Sequence, residues 1–482
     1  MIQELHHPSK YLPLFIVFIL LATACSHWSP RVNRYGLPER GYTYQQPEAI
    51  DDGWDTAFLK DVGIDSEKIS DMMRDILGGN DKNIHSILLI KNGKLVFEEY
   101  FYGYRRDKLH FLASVSKSIT SILIGISIDQ KVTADVETKV YAFFPEYAGT
   151  RWIEQKYPIT LQHILAMAAG VEWNAMKYSR RDPRHTTHQM YASGNPIQFV
   201  LQRELIETPG EKFYYNSGLT ILLGGIVRNT SGLYIDEFAE QYLFTPLGIS
   251  DYHWDKFSDG NIQTDGGLHL RPRDMAKIGY MILKNGKWKD RQIVSKQWIA
   301  ESTKRHMDAL GVGYGYQWWI GQTTMNAKKI TVLFASGHGG QKIFIVPQLD
   351  LVAVFTSRVF NSKGHSAPEG FLLKYIIPSI VQPVSPLKAI QLPPQTLDKF
   401  VGKYKSDELD AVIPVFRKGD KLYSRTSFWD KFELIPQNET QFFGDSKNIG
   451  EFHADFATNA LGEVKHVRVY FGFRGLQFDK IE

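Results

Sequence analysis

Residues Ser114 to Ile128 (SVSKSITSILIGISI) form an apolar stretch broken only by small residues, with Lys117 as its one charge. It is too long for an ordinary strand and reads as a buried helix. Its first four residues are Ser-x-x-Lys. On a helix that spacing puts hydroxyl and amine on one face, and burial disfavours the ammonium form, so a neutral amine could take the serine's proton. The helix N-terminus adds unpaired backbone N–H groups where an oxyanion would form. Taken alone, the motif is equally a helix cap beside a surface lysine. Ser385-Pro386-Leu387-Lys388 repeats the spacing in a connection that gives no reason to expect a site.

Working outward, Asp65 or Ser66 can cap a helix with Ile69, Met72, Met73, Ile76 and Leu77 on one face. His85–Lys91 and Lys94–Tyr102 then flank Asn92-Gly93, a strong hairpin signal. Helical patterns dominate from Tyr141 to Leu247, including Leu161–Ala169, Ile197–Leu205 and Gly218–Thr230, while Tyr178–His188 is polar, contains Pro183 and reads as a loop. Helical signals return at Arg273–Leu283 and Ser295–Thr303. Strand-like runs follow at Gly315–Ile320, Ile330–Phe334, Lys342–Val346 and Leu351–Ser357. Antiparallel strands at both ends of a helical insertion imply an α+β domain over residues 53–382, a sheet flanked by helices. Residues 383–394 are Pro-rich and read as a linker. Beyond them, alternating runs at Phe400–Tyr404, Ala411–Phe416, Lys421–Ser424, Phe432–Ile435, Phe452–Phe456 and Val464–Phe471 predict a small all-β barrel or sandwich over 395–482.

Composition narrows the function. With 56 Lys+Arg against 52 Asp+Glu and no dense basic run, nucleic acid is excluded as a partner. The one cysteine, Cys25, excludes an intramolecular disulfide framework and a Cys-built metal site. The apolar run Tyr11–Thr23 ends in Ala22-Thr23-Ala24-Cys25, which resembles a bacterial lipobox, although Ala22 stands where Leu is usual and Leu21 is one place off. Residues 1–25 thus read as a signal peptide and 26–52 as a tether, with a lipid on Cys25 holding the protein to a membrane at the periplasmic face of the cell envelope. An uncleaved N-terminal anchor helix is the other reading.

Two further motifs accompany Ser114. Pro209-Gly210-Glu211-Lys212-Phe213-Tyr214-Tyr215-Asn216-Ser217-Gly218 is a turn feeding an apolar helix, and can aim a tyrosine and a hydroxyl into a cleft as proton relay and hydrogen-bond partner. Ser336-Gly337-His338-Gly339-Gly340-Gln341 precedes a strand, and its glycines would let a substrate carbonyl approach the strand edge, so that the Gln341 N–H could join that of Ser114 in an oxyanion hole. A turn or bulge is the plain alternative.

Together, these three motifs and stretches such as Ile159–Met167, Gly266–Leu268, Pro272–Ala276 and Gly313–Trp319 resemble the penicillin-recognising serine hydrolases. The likeness is to the class C β-lactamase-like family, with its esterases, D-amino-acid peptidases and nylon-oligomer hydrolases. The segment from Leu397 onward resembles the lipocalin-like accessory domain found behind such enzymes. The resemblance implies Ser114 as nucleophile, Lys117 as its base or base-orienting partner, and Tyr215 as second proton-transfer residue, since the family's tyrosine stands five places after the turn glycine. Ser217, His338, Gly339, Gly340 and Gln341 would then bind substrate and oxyanion. His338 replaces the usual lysine of β-lactamases and Ser217 their frequent asparagine, so strong β-lactam turnover is not expected.

The expectation is a serine hydrolase that acts on a small ester, amide or peptide without cofactor or metal. A non-hydrolytic penicillin-binding sensor and a structural envelope protein are its rivals. His185 and His188 have metal-like spacing but no evident third ligand. Arg180, Arg181 and Arg184 would favour an anionic substrate if their loop overhangs the site. Trp318 and Trp319 read as cleft or core, and His163 as a structural hydrogen-bonder.

Overall fold

The computed structural model describes residues 42–481 apart from 80–82, 157, 175–176, 179–181, 310, 326–327, 359–366, 382–388, 408, 428 and 447–449. Cys25 and its signal segment, Arg180, Arg181 and the second Ser-x-x-Lys lie outside the described residues.

The main sheet has nine strands: β1 (Asp55–Thr56), β2 (Ile84–Lys91), β3 (Lys94–Tyr100), β4 (Met307–Ala309), β5 (Val312–Tyr314), β6 (Trp319–Met325), β7 (Lys328–Gly337), β8 (Gln341–Val346) and β9 (Leu351–Ser357). Their spatial order is β1-β3-β2-β9-β8-β7-β6-β5-β4, antiparallel except for the short β1–β3 pair. Asn92 and Gly93 both take positive φ, +52° and +79°, as a two-residue hairpin needs if its twist is to match its strands.

Both faces of the sheet are covered. On β2, Leu88 and Ile90 face one core while Ile87 and Leu89 face the other, the two-residue alternation of a strand buried on both sides. The first core holds α2 (Val115–Asp129), α3 (Ser217–Ser231) and α4 (Pro272–Leu283), and the second holds α1 (Ser66–Leu77) and the segment Ala367–Ile380. α1 begins where the Asp65 side chain accepts a hydrogen bond from Glu67 N (2.9 Å). The end of the expected tether is packed: Tyr44 donates to Val96 O (2.9 Å), Asp52 receives Arg273 Nη1 (3.0 Å), and Trp54 just beyond it is buried.

Local departures from the sequence reading have physical causes. Gly315–Ile320 is not one strand, because residues 315–318 turn inward between β5 and β6 with Gln317 at φ +64°. The Gln317 amide donates to the carbonyls of Ile164 (3.3 Å) and Leu165 (2.8 Å) and accepts from Thr220 Oγ1 (2.9 Å). The loop expected through His188 becomes helical at Thr186–Ala192, anchored by buried Thr186 and Met190, with Thr186 Oγ1 accepting from Asn174 N (2.9 Å). The helices expected at Leu161–Ala169 and Ile197–Leu205 are shorter, Leu161–Leu165 and Pro196–Leu201. Met167, at φ +56°, turns the chain away just after the first.

The C-terminal strands close into an eight-stranded antiparallel barrel over Gly402–Lys480. Gln441–Ser446 and Arg474–Lys480 join the six segments read from sequence, and Phe400 precedes the first strand as part of the barrel core. The hairpin at Phe471–Arg474 pushes Phe473 into the second core of the main sheet, 5.4 Å from Phe334 and 5.8 Å from Phe344 between ring centroids. A Cβ at Gly321 would lie 2.5 Å from Phe473 Cβ, so glycine makes room for this contact.

A histidine pair joins β2 to the short strand His110–Phe111 that leads to Ser114. His85 Nδ1 and His110 Nε2 are 2.8 Å apart, and His85 stacks on Tyr104 at 3.9 Å. Burial, reinforced by nearby cations including Lys108, pushes His85 down to about 3 and His110 to about 4. In the unfolded chain each takes its proton near 6.5. Between these values the unfolded state binds more protons, so stability falls as pH drops from about 6.5 toward 3. His85→Phe, which keeps a ring on Tyr104 but cannot titrate, should give a shallower fall of Tm between about pH 6.5 and 4 than the wild type. Parallel Tm profiles would show that the pair carries none of this dependence.

Candidate active site

The chain enters α2 from His110–Phe111, which pairs with Leu268–Leu270 in a small three-stranded sheet. Leu112 N donates to Leu268 O (2.9 Å), and Ala113 then takes φ +47°, a sparsely populated region for a residue with a Cβ. Ser116 holds this turn, donating from Oγ to Ala113 O (2.7 Å) and accepting there from Leu268 N (3.2 Å). Ser114 follows as the residue preceding the helix, and its side chain makes no capping bond. Its hydroxyl instead accepts from Lys117 Nζ at 3.2 Å.

Lys117 is 2% exposed. Its Nζ also donates to the backbone carbonyl of Asp265, and the Asp265 carboxylate lies 3.9 Å away. That carboxylate accepts from the Tyr191 hydroxyl at 2.9 and 3.0 Å. Asp265 and Tyr191 were not singled out in the sequence. They lie 148 and 74 residues from Lys117, and no local spacing connects them.

Tyr215 reaches the same point from the other side, with Lys117 Nζ 5.4 Å from its ring centroid. Trp319 stacks on it at 6.1 Å, so Trp319 belongs to the site and the fully buried Trp318 to the core. Tyr214 is 37% exposed, and its backbone N–H donates to Met167 O (2.8 Å). Ser217 opens α3 half-buried. The cap is Asn216, whose side chain accepts from Gly218 N (2.9 Å) and whose buried Nδ2 has no hydrogen-bond partner. His163 is the structural group expected of it: its Nδ1 accepts from Thr160 N (3.2 Å), and its ring abuts Gly210.

His338, Gly339 and Gly340 form the turn between β7 and β8, with φ +86° and +90° at the two glycines. A Cβ on Gly337 would meet Leu112 O at 2.2 Å, and this close approach sets the hairpin against the loop that carries Ser114. The Gln341 side chain stiffens the turn, donating to Ser357 O (2.5 Å) and His338 O (3.3 Å) and accepting from Ser357 N (3.1 Å). Gly340 packs on Ser357, where a Cβ would lie 2.2 Å from Oγ. His185 is buried with its ring 4.9 Å from that of His188, and among the described residues no cluster of three metal-ligating side chains occurs.

A nine-stranded sheet with a helical insertion and this hydroxyl-amine pair at a helix start defines the β-lactamase-like α+β class. The Beta-lactamase family model matches residues 71–373, and the chain belongs to that family of hydrolases. The 6-aminohexanoate-dimer hydrolase of Paenarthrobacter ureafaciens is 28% identical over 298 residues, 56% of this chain and 71% of the relative. Among solved structures, a Bacillus anthracis protein assigned as a 6-aminohexanoate-dimer hydrolase superposes with TM-score 0.55 at 23% identity, covering 65% of this chain and 83% of its own. EstCE1, described as a hydrolase with promiscuous acyltransferase activity, gives TM-score 0.52 at 15% identity over 65% of this chain and 98% of its own. The last two show the fold.

If the Asp265 carboxylate positions Lys117, Asp265→Asn should lower kcat for an activated ester by about tenfold or more with little change in KM. Tyr191→Phe should act in the same direction and more weakly. An unchanged kcat in Asp265→Asn would separate this carboxylate from the chemistry.

Proposed function

We propose that this hydrolase cleaves an ester or amide through an acyl-enzyme on Ser114. The observation that carries the reading is the buried Lys117 amine, 3.2 Å from a serine hydroxyl that caps nothing. In its neutral form Lys117 takes the Ser114 proton as Oγ attacks the substrate carbonyl. The backbone N–H groups of Ser114 and Gln341 receive the oxyanion, Tyr215 passes a proton to the leaving group, and water then releases the acyl group with Lys117 and Tyr215 as its activators.

His338 offers no permanent cation for a substrate carboxylate, which argues for weak β-lactam turnover at most. The substrates we infer are short linear amides and esters. The 6-aminohexanoate-dimer hydrolase relative supports this class, and Trp319 on Tyr215 supplies an apolar wall for an alkyl chain. No metal or organic cofactor enters the scheme.

A fluorophosphonate probe should label the wild type and fail to label Ser114→Ala at unchanged Tm. Tyr215→Phe should lower turnover of p-nitrophenyl esters by about 100-fold and Tyr214→Phe by little. Labelling retained in Ser114→Ala, or a product burst without turnover in the wild type, would overturn the hydrolytic reading.

We also infer an envelope location with a lipid on Cys25 and the catalytic part on the periplasmic side. Among the described residues no helix is long and apolar enough to cross a membrane. Cys25→Ala should move the protein from the membrane to the soluble fraction of an expressing bacterium, and membrane retention would count against the lipid anchor.

A further inference from the structure

The barrel hairpin at Phe471–Arg474 meets the main sheet at a notch in β6. Gly321 lies two residues along that strand from Trp319, so the two positions share a face. A Cβ on Gly321 would stand 2.5 Å from Phe473 Cβ and 3.3 Å from Phe334 Cε1, so the Phe473 ring occupies the room that a side chain at 321 would need. Phe473 is buried there. Backbone bonds on either side of it hold the hairpin in place, Gln322 N to Phe473 O (3.5 Å) and Gly475 N to Gly311 O (3.0 Å).

From Phe473 a run of ring contacts crosses to the active site. Phe334 on β7, 5.4 Å from Phe473, is the cross-strand partner of Trp319, and those two rings are 6.2 Å apart and 15° from parallel. Trp319 in turn lies 6.1 Å and 24° from the Tyr215 ring, whose centroid is 5.4 Å from Lys117 Nζ. Trp319 packs against both cores of the sheet, and this is where the run passes from one to the other. Tyr314 and Phe213 also meet Trp319, at 4.8 and 6.0 Å. Of these rings, Phe473 is the one supplied by the barrel.

A densely packed interior passes a displacement along its contacts, because its side chains have little free volume in which to absorb it. A proton-transfer group is sensitive to such a displacement: a misplacement of about 1 Å costs on the order of 100-fold in rate even when its origin lies far from the chemistry. We propose that Phe473 is a positioning residue for Tyr215. By filling the notch at Gly321 it fixes Phe334 and Trp319, and through them it sets the tyrosine ring against Lys117. The inference rests on the proton-transfer role proposed for Tyr215. Phe473 itself touches no substrate and acts from the face of the sheet opposite α2.

Steady-state kinetics of the full chain on a p-nitrophenyl ester, measured below the Tm of every variant compared, test this. Phe473→Ala should lower kcat about tenfold and leave KM within about twofold of the wild type. Phe473→Leu, which refills part of the notch without a flat ring, should lie between the two at about threefold down, and it replaces Phe473→Ala throughout should that variant fail to fold. A purely structural role would lower Tm and leave the kcat of the folded protein unchanged. A double-mutant cycle with Tyr215→Phe then separates action through the tyrosine from action elsewhere. Added to Tyr215→Phe, the Phe473 substitution should change kcat by less than about twofold, because the group it positions is already gone. Full additivity of the two losses, or an unchanged kcat in the folded Phe473 variant, would overturn the proposal while leaving the role of Tyr215 intact. Wild-type kcat in Tyr215→Phe alone would overturn that role, and the proposal with it.

Discussion

A lysine amine with almost no access to water must find its partners inside the protein, and the partners of Lys117 come from three separate parts of the chain. Ser114 is one helical turn away, the Asp265 carbonyl and carboxylate arrive after the whole helical insertion, and the Tyr215 ring closes the remaining side. Burying an amine without such partners carries a desolvation cost. The insertion therefore has to fold back so that Asp265 meets α2. The same return brings Leu268 to bond Leu112 and Ser116 on either side of the strained Ala113, so one segment fixes Lys117 and Ser114 together.

Close backbone approach supplies the other half of the geometry. Gly337 against Leu112 lets the β7–β8 hairpin reach the loop that carries Ser114, and Gln341 locks that hairpin through three hydrogen bonds. Gln317 does the same work on the far side of α2. Its carbonyl accepts from Ser118 Oγ (2.6 Å), and its amide ties the helix starting at Leu161 to α3. α2 is thus held by polar bonds at defined points and by apolar packing elsewhere. A uniformly greasy contact would fix its depth but not its rotation.

What could be read from the sequence follows from the range of the interactions. The Ser114–Lys117 pair, the Asn92-Gly93 hairpin and the cap at Asp65 depend on neighbours a few residues apart, and spacing shows them directly. The choice of Tyr215 over Tyr214 rests on an offset from Gly210, and in the structure Lys117 Nζ lies 5.4 Å from the Tyr215 ring centroid. Asp265, Tyr191 and Gln317 act over tens to hundreds of residues, and nothing near them in sequence marks the role. Gln317 also broke the strand expected at Gly315–Ile320, because a buried amide that must serve three segments overrides the strand propensity of its aromatic neighbours. The two barrel strands that escaped notice are rich in polar residues and glycine. Barrel closure, which leaves no edge unpaired, recruits them in spite of composition.

Phe473 bears on how far the barrel can be treated as an appendage. The side chain is 3% exposed and belongs to the second core of the main sheet, with Gly321 shaped to receive it. Two backbone bonds lie beside it, Gln322 N to Phe473 O (3.5 Å) and Gly475 N to Gly311 O (3.0 Å). Removing the barrel would leave Phe334 and Phe344 facing water across a glycine notch on the face of the sheet opposite α2. Aromatic groups left uncovered in that way lose burial worth several kcal/mol between them. The same two strands, β6 and β7, carry Trp319 to Tyr215 and Gly337 to Leu112. The barrel is in this sense packed into the same sheet that carries the Ser114 side of the molecule.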